Sequence, residues 1–305
     1  MKWSELKEKG VTVLAGAVSG GLDSCTTTHW LTEKGFSVRC FTVDLGQPDE
    51  KDLDVVRARM LGCGAVKAQV VSGQENLANA GLKILQAQAR YEGGYWNTTG
   101  IARPITVRAV LKETRIDDIP VLFHGCTGRG NDQVRFQVSA NIIDPSIDIY
   151  APWRDPEFVS EFPGRQQMID YSIRHNLPIK DVGGARYSTD ANFLGLTHEA
   201  GDLEDVEKPF DFVEPVMGDW PWEAPDDYEI VTICWQEGSP VSLNGEKLSL
   251  VELIKNANLV AGKHGVGIGT HVVENRYVGV KSRGIYEAPG MEMLGRSYEY
   301  LLQFI

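Results

Sequence analysis

Short apolar runs and amphipathic helical patterns alternate over the first 90 residues of the chain. The runs are rich in β-branched residues, as buried strands are, and each is followed by apolar positions at helical spacing. The predicted elements, in the order βαβαβα, are residues 11–15, 26–33, 37–44, 51–62, 65–71 and 75–90. This alternation predicts an α/β fold with a parallel, doubly wound sheet, in which the loops that follow the strands meet at one edge.

The pattern changes after about residue 150. Before that point, a loop at 91–104 and a helix at 105–114 lead to another buried strand at 120–125. After it, the predicted segments are a helix at 163–176, an acidic irregular connection at 202–227, a hairpin at 229–243, a helix at 248–260 ended by Gly262 and a helix at 291–302. We therefore divide the chain into an α/β domain at 1–172 and a second, α+β domain at 173–305.

A glycine-containing turn joins the first strand to the first helix, in the sequence Ala17-Val18-Ser19-Gly20-Gly21-Leu22-Asp23-Ser24-Cys25. Gly20 and Gly21 can take positive φ, and the N–H groups of a helix start point into such a turn, which predicts an anion site rather than an ordinary turn. The turn is neither a Walker A loop nor a Gly-x-Gly-x-x-Gly fingerprint. A carboxylate such as Asp23 is tolerated beside a phosphate only when a cation such as Mg²⁺ lies between them or when it orients backbone donors.

Two further segments carry candidate ligand groups. Val43, at the end of the second strand, packs either on an adenine or in the core. In the loop at 91–104, the hydroxyls of Thr98 and Thr99, with donors from Tyr95 and Arg103, predict a carboxylate site. The alternative for the two threonines is that they only cap the following helix.

The strand at 120–125 opens into a second glycine-rich turn at the same sheet edge. Asn131, Asp132 and Arg135 place an amide, a carboxylate and a guanidinium on one helical face. This group suits a zwitterionic amino acid, with Asp132 for the ammonium and Arg135 for the carboxylate. The alternative is an exposed helix start with a local ion pair.

Polar side chains recur farther along, at Ser188, Asp190, Thr197 and Glu199, and suit a polar small molecule. His198 lies among them, but no ligand partners stand at helical spacing from it, and no metal site made by protein side chains is predicted.

Composition argues against a nucleic-acid-binding, membrane-bound or disulfide-rich protein. Lys and Arg number 30 and Asp and Glu 42, so the net charge is −12 and the general basic footprint required by nucleic acids or anionic membranes is missing. The five cysteines form no Cys-x-x-Cys pair, which indicates neither a zinc knuckle nor a disulfide framework. No stretch approaches the ~18 apolar residues of a membrane span. We expect a cytoplasmic protein that binds neither nucleic acid nor membrane.

These motifs resemble those of the argininosuccinate synthases. Ser-Gly-Gly-x-Asp-Ser after a strand is similar to the PP-loop of ATP pyrophosphatases, which grips the β,γ-diphosphate of ATP. The segments that carry the resemblance, in family order, are 18–24, 44–47, 97–99, 102–104, 124–136, 151–154, 187–192, 274–276 and 281–287. They extend over nearly the whole chain.

The resemblance implies an adenine nucleotide α-hydrolase-like domain at 1–172 and a synthetase domain at 173–305. It also implies condensation of citrulline with aspartate, with ATP and Mg²⁺, to give argininosuccinate, AMP and pyrophosphate. The ureido oxygen of citrulline attacks the α-phosphorus of ATP, and the aspartate amine then displaces AMP. Positioning and electrostatic stabilisation can carry most of the rate of such steps.

The resemblance also assigns residues. The chemical step is assigned to Asp23, Asp132 and Arg135. ATP is assigned to Ala17, Val18, Ser19, Gly20, Gly21, Leu22, Asp23, Ser24, Cys25, Val43, Gly125 and Asp190. Aspartate is assigned to Thr127, Asn131 and Asp132. Citrulline is assigned to Tyr95, Asn131, Arg135, Ser188, Thr197, Glu199, Glu274 and Tyr286, with Thr98 and Thr99 in the substrate loop.

Two departures from the family leave alternatives open. Cys25 stands where the family has a small hydroxyl or aliphatic residue. Family members also continue into a helical arm that embraces neighbouring subunits, whereas this sequence ends at Ile305. We expect either that the arm is lost and a smaller or different homo-oligomer results, or that this is a shortened form. The alternatives are a related ligase of a specialised pathway that joins a different acceptor and amine, and a binding protein for nucleotides or amino acids without turnover.

Overall fold

The computed structural model of the chain describes residues 1–50, 52–92, 94–128, 130–180, 186–275 and 280–305, apart from the side chains of 273–275, 280 and 281. The chain divides into two compact units, each built from several segments. The first unit comprises Met1–Asp44, Asp52–Gly73 and Arg103–Gly184, and the second comprises Leu45–Lys51, Gln74–Ala102 and Ala185–Ile305. The division into functional domains at 172 and 173 stays a prediction.

The described strands are β1 (Val13–Ala17), β2 (Ser37–Asp44), β3 (Lys67–Ser72), β4 (Val121–His124), β5 (Asp148–Tyr150), β6 (Ser188–Asn192), β7 (Gly195–Glu199), β8 (Ile233–Gln236), β9 (Ser239–Leu243), β10 (Glu246–Lys247), β11 (Ile268–Asn275) and β12 (Val280–Glu287). The described helices are α1 (Trp3–Glu8), α2 (Leu22–Glu33), α3 (Leu53–Gly62), α4 (Gln74–Ala87), α5 (Thr98–Ile116), α6 (Asn131–Ile143), α7 (Pro156–Glu161), α8 (Arg165–Arg174), α9 (Leu250–Lys263) and α10 (Pro289–Leu302).

In the described part of the first unit, five strands form a parallel sheet in the order β3-β2-β1-β4-β5. β1 and β4 are buried at almost every position, as expected for strands whose two faces are both covered by helices. The last residue of β1, Ala17, lies between Phe41 of β2 and His124 of β4. The predicted α/β fold with a parallel sheet is therefore confirmed, and the carboxyl ends of its central strands lie side by side.

The second unit is built on antiparallel sheets. Within its described residues, one sheet has the strand order β11-β12-β7-β6 and another the order β10-β9-β8. The predicted α+β class of this part is confirmed, and so is the hairpin at 229–243, which corresponds to β8 and β9. The long hairpin of β11 and β12 was not predicted, because its strands mix charged and apolar residues without clear alternation. No helix among the described residues is long and apolar enough to cross a membrane.

Several predicted helix boundaries are wrong. The helix predicted to begin at residue 26 begins at Leu22, so the last four residues of the turn sequence at 17–25 belong to the helix. The helix predicted to begin at residue 105 begins at Thr98, with Pro104 inside it. A proline inside a helix loses one backbone hydrogen bond, and burial of the first turn offsets that loss, since Thr98 and Ala102 are each 1% exposed. The helix predicted to end before Gly262 continues to Lys263. Gly262 therefore does not end the helix; the carbonyl of Met217 packs directly against it and leaves no space for a Cβ.

Candidate active site

The turn between β1 and α2 has the geometry of an anion site. It stands at the carboxyl edge of the sheet, in front of the N-terminus of α2. Gly20 has φ +73°, in the left-handed region, whereas Gly21 has φ −75° in the extended conformation of the residue before a helix. Positive φ is therefore confirmed for Gly20 and wrong for Gly21. The N–H groups of the first helical turn have no carbonyl one turn earlier to bond, so they favour an anion at this end.

Side chains of the first unit hold this turn in shape. The Ser19 N–H donates to Ser24 Oγ at 3.1 Å, and Arg59 Nη1 donates to the Gly20 carbonyl at 3.1 Å. The Cys25 thiol is fully buried and lies 3.6 Å from the same carbonyl. Cys25, which differs from the small hydroxyl or aliphatic residue expected at this position, therefore packs in the core beneath the turn.

Asp23 is the carboxylate at this helix start. Trp153 Nε1 donates to its Oδ1 at 3.0 Å. Gly125, after β4, lies so close that a Cβ there would stand 3.3 Å from the Asp23 Cβ. Burial raises the pKa of Asp23, while the hydrogen bond from Trp153 and the charge of Arg165 act in the opposite direction. A cation near this carboxylate would therefore stabilise its ionised form.

A second charged group lies at the start of α6, also in the first unit. Asp132 Oδ2 accepts from Arg103 Nε at 2.9 Å and Nη2 at 2.7 Å, and Asp132 Oδ1 accepts from Arg135 Nη1 at 2.7 Å. Burial alone would raise the pKa of Asp132, but Arg103 and then Arg135 outweigh it and hold the pKa below its usual range. The local ion pair between Asp132 and Arg135 is present, and their role as amino-acid ligands stays a prediction.

The remaining candidates of the first unit surround these two groups in sequence. Asn131 is the first residue of α6, and its Oδ1 is buried without a hydrogen-bond partner among the described residues. Thr127 is exposed, and its hydroxyl would stand 3.3 Å from a Cβ at Gly130, the residue before the helix. Val43 is buried at the end of β2 beside Val71, a position that fits either core packing or an adenine contact.

A hydroxyl and aromatic cluster lies in the second unit. The Tyr95 hydroxyl is 2.9 Å from Thr99 Oγ1 and 3.4 Å from Thr197 Oγ1. The ring of Tyr95 packs on that of Tyr286 with 4.0 Å between centroids. Burial raises the pKa of both phenols, so both remain protonated donors and acceptors. Such a cluster can hydrogen-bond an uncharged amide or urea group as well as a carboxylate.

Strand pairing places several candidates on one face of this sheet. Asp190 of β6 stands opposite Thr197 of β7, and Thr197 stands opposite Tyr286 of β12. Directly opposed residues share a face, and so do residues two apart on a strand. We call this side the ligand face, formed by Ser188, Asp190, Thr197, Glu199 and Tyr286.

Comparison with known proteins identifies the family of the chain. Residues 12–178 match the arginosuccinate synthase N-terminal HUP domain, and residues 187–305 match the arginosuccinate synthase C-terminal domain. The chain belongs to the argininosuccinate synthase family. It is 41% identical over 289 residues to the argininosuccinate synthase of Rhodopirellula baltica, a match that covers 94% of this chain and 71% of that protein.

A solved structure described as a predicted subunit of a tRNA methyltransferase, from Methanocaldococcus jannaschii, is also similar. It covers 53% of this chain and 75% of its own, at 15% identity and a TM-score of 0.36.

Two further residues assigned from the argininosuccinate synthase family have no described contact with the cluster. Thr98 is 1% exposed, and its hydroxyl faces Gly195, where a Cβ would lie 2.8 Å away. The hydroxyl has no hydrogen-bond partner among the residues that the structure describes. Glu274 belongs to β11, but its side chain lies outside the description.

Sequence reasoning within the argininosuccinate synthase motifs missed two contacts of the first unit. Trp153 lies in a motif segment but was given no role, and Arg103 was placed with the threonine loop rather than on Asp132. These pairs lie 130 and 29 residues apart in sequence. Spacing rules for helices relate residues only three or four positions apart, so they could not predict either contact. The only signal in the sequence was that an indole and a guanidinium lie inside motif segments.

Proposed function

We propose that the chain catalyses the ATP-dependent condensation of citrulline with aspartate to argininosuccinate, AMP and pyrophosphate. The observation that carries the proposal is the turn at Gly20, which offers helix N–H groups to an anion in a chain whose two matched domains are those of argininosuccinate synthases. The fold alone would not support it, since one fold hosts many activities.

The reaction balances in two displacements. The ureido oxygen of citrulline forms a bond to the α-phosphorus of ATP as the bond to pyrophosphate breaks. The amine of aspartate then bonds to the ureido carbon, loses a proton, and AMP leaves with the former ureido oxygen. Both leaving groups are phosphates, so stabilising negative charge and aligning the reactants supply most of the catalysis.

The first unit has the groups that hold phosphates and a charged amino acid. We assign the β,γ-diphosphate to the turn from Ser19 to Ser24, where backbone donors meet a helix N-terminus. We assign aspartate to Thr127, Asn131 and Asp132. Arg135 serves as a cationic group for a substrate carboxylate, because its guanidinium is fixed by Asp132 and always charged.

The second unit has the groups that suit a ureido acid. We assign citrulline to Ser188, Thr197, Glu199 and Tyr286 of the ligand face and to Tyr95, whose hydroxyl is already within hydrogen-bond distance of Thr99 and Thr197. Hydroxyls that both donate and accept match the urea group, which presents N–H donors and a carbonyl acceptor. This cluster would hold the ureido group in a fixed orientation.

The residues at the turn fit Mg²⁺ that is carried by ATP. Mg²⁺ binds through one or two carboxylates together with substrate phosphates, and Asp23 offers one carboxylate at the helix start. Among the described residues, no group of three or more His, Cys, Asp or Glu forms a protein-only metal site. When bound, Mg²⁺ would neutralise phosphate charge.

The proposal is tested by measuring pyrophosphate and AMP release with purified protein. We expect equal amounts of both products, formed only when ATP, citrulline, aspartate and Mg²⁺ are all present, and abolished by a chelator. Citrulline labelled with a heavy oxygen isotope in its ureido group should transfer the label to AMP.

Other outcomes separate the alternatives. Turnover with another amine or ureido compound but not with aspartate and citrulline would identify a related ligase. ATP binding in a calorimeter with no product from any amino-acid pair would identify a binding protein. Unlabelled AMP from labelled citrulline would contradict the proposed order of displacements.

Replacing Trp153 with phenylalanine is expected to shift the acidic limb of kcat/KM for ATP to higher pH. Burial already raises the pKa of Asp23, and the variant removes the indole hydrogen bond that lowers it. The carboxyl would then keep its proton to a higher pH, so activity would fall earlier on acidification, while the plateau at higher pH would be retained. The measurement is a pH profile of the rate of pyrophosphate release at low ATP.

The matched control is Trp30→Phe. Trp30 Nε1 donates to Glu161 Oε2 at 2.7 Å in the same unit, so this variant also removes an indole hydrogen bond to a carboxylate. Its acidic limb should coincide with that of the wild type. If the acidic limbs of Trp153→Phe and the wild type coincided, Asp23 would not control the pH profile of kcat/KM for ATP.

A further inference from the structure

A buried acid and histidine pair lies on the rear face of the sheet, opposite to the ligand face. His198 Nε2 donates to Glu287 Oε1 at 2.7 Å, and the side chains are 1% and 0% exposed. Burying ionisable groups is costly unless they are paired and hydrogen-bonded. The functional assignments above use neither residue, so the pair needs another explanation.

Further hydrogen bonds to the imidazole and to the carboxylate connect the pair to several segments of the second unit. Glu287 also accepts from the Val216 N–H at 3.0 Å and the Met217 N–H at 2.7 Å. On the other side, His198 Nδ1 lies 2.9 Å from Thr189 Oγ1. The network therefore ties β6, β7 and β12 to one another and to the segment that covers their rear face.

The pair stands directly behind the candidate citrulline groups. His198 follows Thr197 in β7, and Glu287 follows Tyr286 in β12. Successive residues of a strand point to opposite faces, and Thr197 is opposite Tyr286 in the strand register. A shift of one residue between these strands would turn the ligand groups to the rear face.

We propose that His198 and Glu287 are positioning residues that fix Thr197 and Tyr286 against Tyr95 for recognition of the ureido substrate. The cluster depends on short contacts, with 3.4 Å between the hydroxyls of Tyr95 and Thr197 and 4.0 Å between the two tyrosine rings. Tyr95 contacts both strands, so a small movement of β12 against β7 would break at least one of these contacts. The proposal rests on the proposed function for the identity of the substrate, but the positioning itself does not.

The kinetic test is the variant Glu287→Gln. Glutamine keeps the size of the side chain but presents an amide N–H₂, either to the backbone N–H groups of Val216 and Met217 or to His198. We expect KM for citrulline to rise about 30-fold, which corresponds to the loss of one charge-assisted buried hydrogen bond. KM for ATP and for aspartate should stay within about twofold of wild type.

Arg283→Lys is the matched control. Arg283 is 6% exposed on the same rear face of β12, and it donates to the carbonyls of Leu203, Asp205 and Lys208. The variant removes buried hydrogen bonds from the same strand without touching the pair. We expect a fall in melting temperature with KM for citrulline unchanged, which separates positioning from general loss of stability.

A second measurement does not depend on the substrate. In protein labelled with fluorotyrosine, the fluorine NMR signal of Tyr286, assigned with Tyr286→Phe, should shift or broaden in Glu287→Gln and remain in place in Arg283→Lys. If the wild type does not turn over citrulline and aspartate, the proposed function fails, and this signal still decides the positioning role. An unmoved Tyr286 signal, or an equal rise in KM for all three substrates, would overturn the proposal.

Discussion

Replacing Asp132 with asparagine is expected to lower kcat/KM for aspartate by about 1,000-fold, the effect of removing one partner of a hydrogen-bonded charge group that is partly buried and, in our assignment, also binds the substrate. Asp132 is the shared partner of Arg103 and Arg135, with contacts of 2.7 Å on each side. Asparagine is similar in size but neutral, so the two guanidiniums would repel each other and leave their positions. When the guanidiniums move, the predicted aspartate ligands at the start of α6 would lose their arrangement too.

The measurement is steady-state pyrophosphate release at varied aspartate, with ATP affinity measured separately by calorimetry. ATP affinity should change by no more than about threefold, because the turn at Gly20 does not include Asp132.

Asp117→Asn is the control for the Asp132 variant. The Asp117 carboxylate also bridges two cations of the first unit, Arg39 at 2.8 Å and Lys67 at 2.9 Å. It lies outside the candidate site, so its loss should affect folding alone. Equal losses of activity in the Asp132 and Asp117 variants would show that Asp132 acts only through the fold.

The sequence predicted the first unit well because its signals are local. A parallel sheet with both faces covered requires continuous apolar runs, and the runs at 37–44 and 120–125 correspond closely to β2 and β4. The glycine turn was predicted because a strand, two glycines and a helix follow one another directly. In each case the determining residues are neighbours in the chain.

The parts that sequence reasoning missed depend on contacts between distant residues. Arg103 and Asp132 are 29 residues apart, and His198 and Glu287 are 89 residues apart. Neither distance matches a helical or strand period, so only the tertiary arrangement reveals the pairs. The helix start at Thr98 was missed for a related reason, since burial of its first turn overrides the local effect of Pro104.

Replacing Gly20 with alanine is expected to raise KM for ATP by about 100-fold, which corresponds to about 2.7 kcal/mol of lost binding. Gly20 has φ +73°, which alanine adopts only at a cost. The new Cβ would also stand 2.7 Å from Val56 Cγ1, inside the contact distance of two carbon atoms. The turn would have to move, and with it the Gly20 carbonyl that accepts from Arg59.

Two further variants separate the effect of backbone strain at positive φ from the effect of the Cβ contact with Val56. Gly10→Ala has the same kind of strain, at φ +75°, but no atom lies within 4 Å of its Cβ, so it should lower stability without changing KM for ATP. In the double variant Gly20→Ala with Val56→Ala, the nearest remaining atom of residue 56 would be its Cβ, at 3.5 Å, an ordinary contact. ATP affinity should therefore recover in part, measured by calorimetry to avoid any effect on turnover. If Gly20→Ala binds ATP as tightly as Gly10→Ala, the phosphates do not lie on this turn, because a ligand held by its backbone N–H groups must respond when the backbone is displaced.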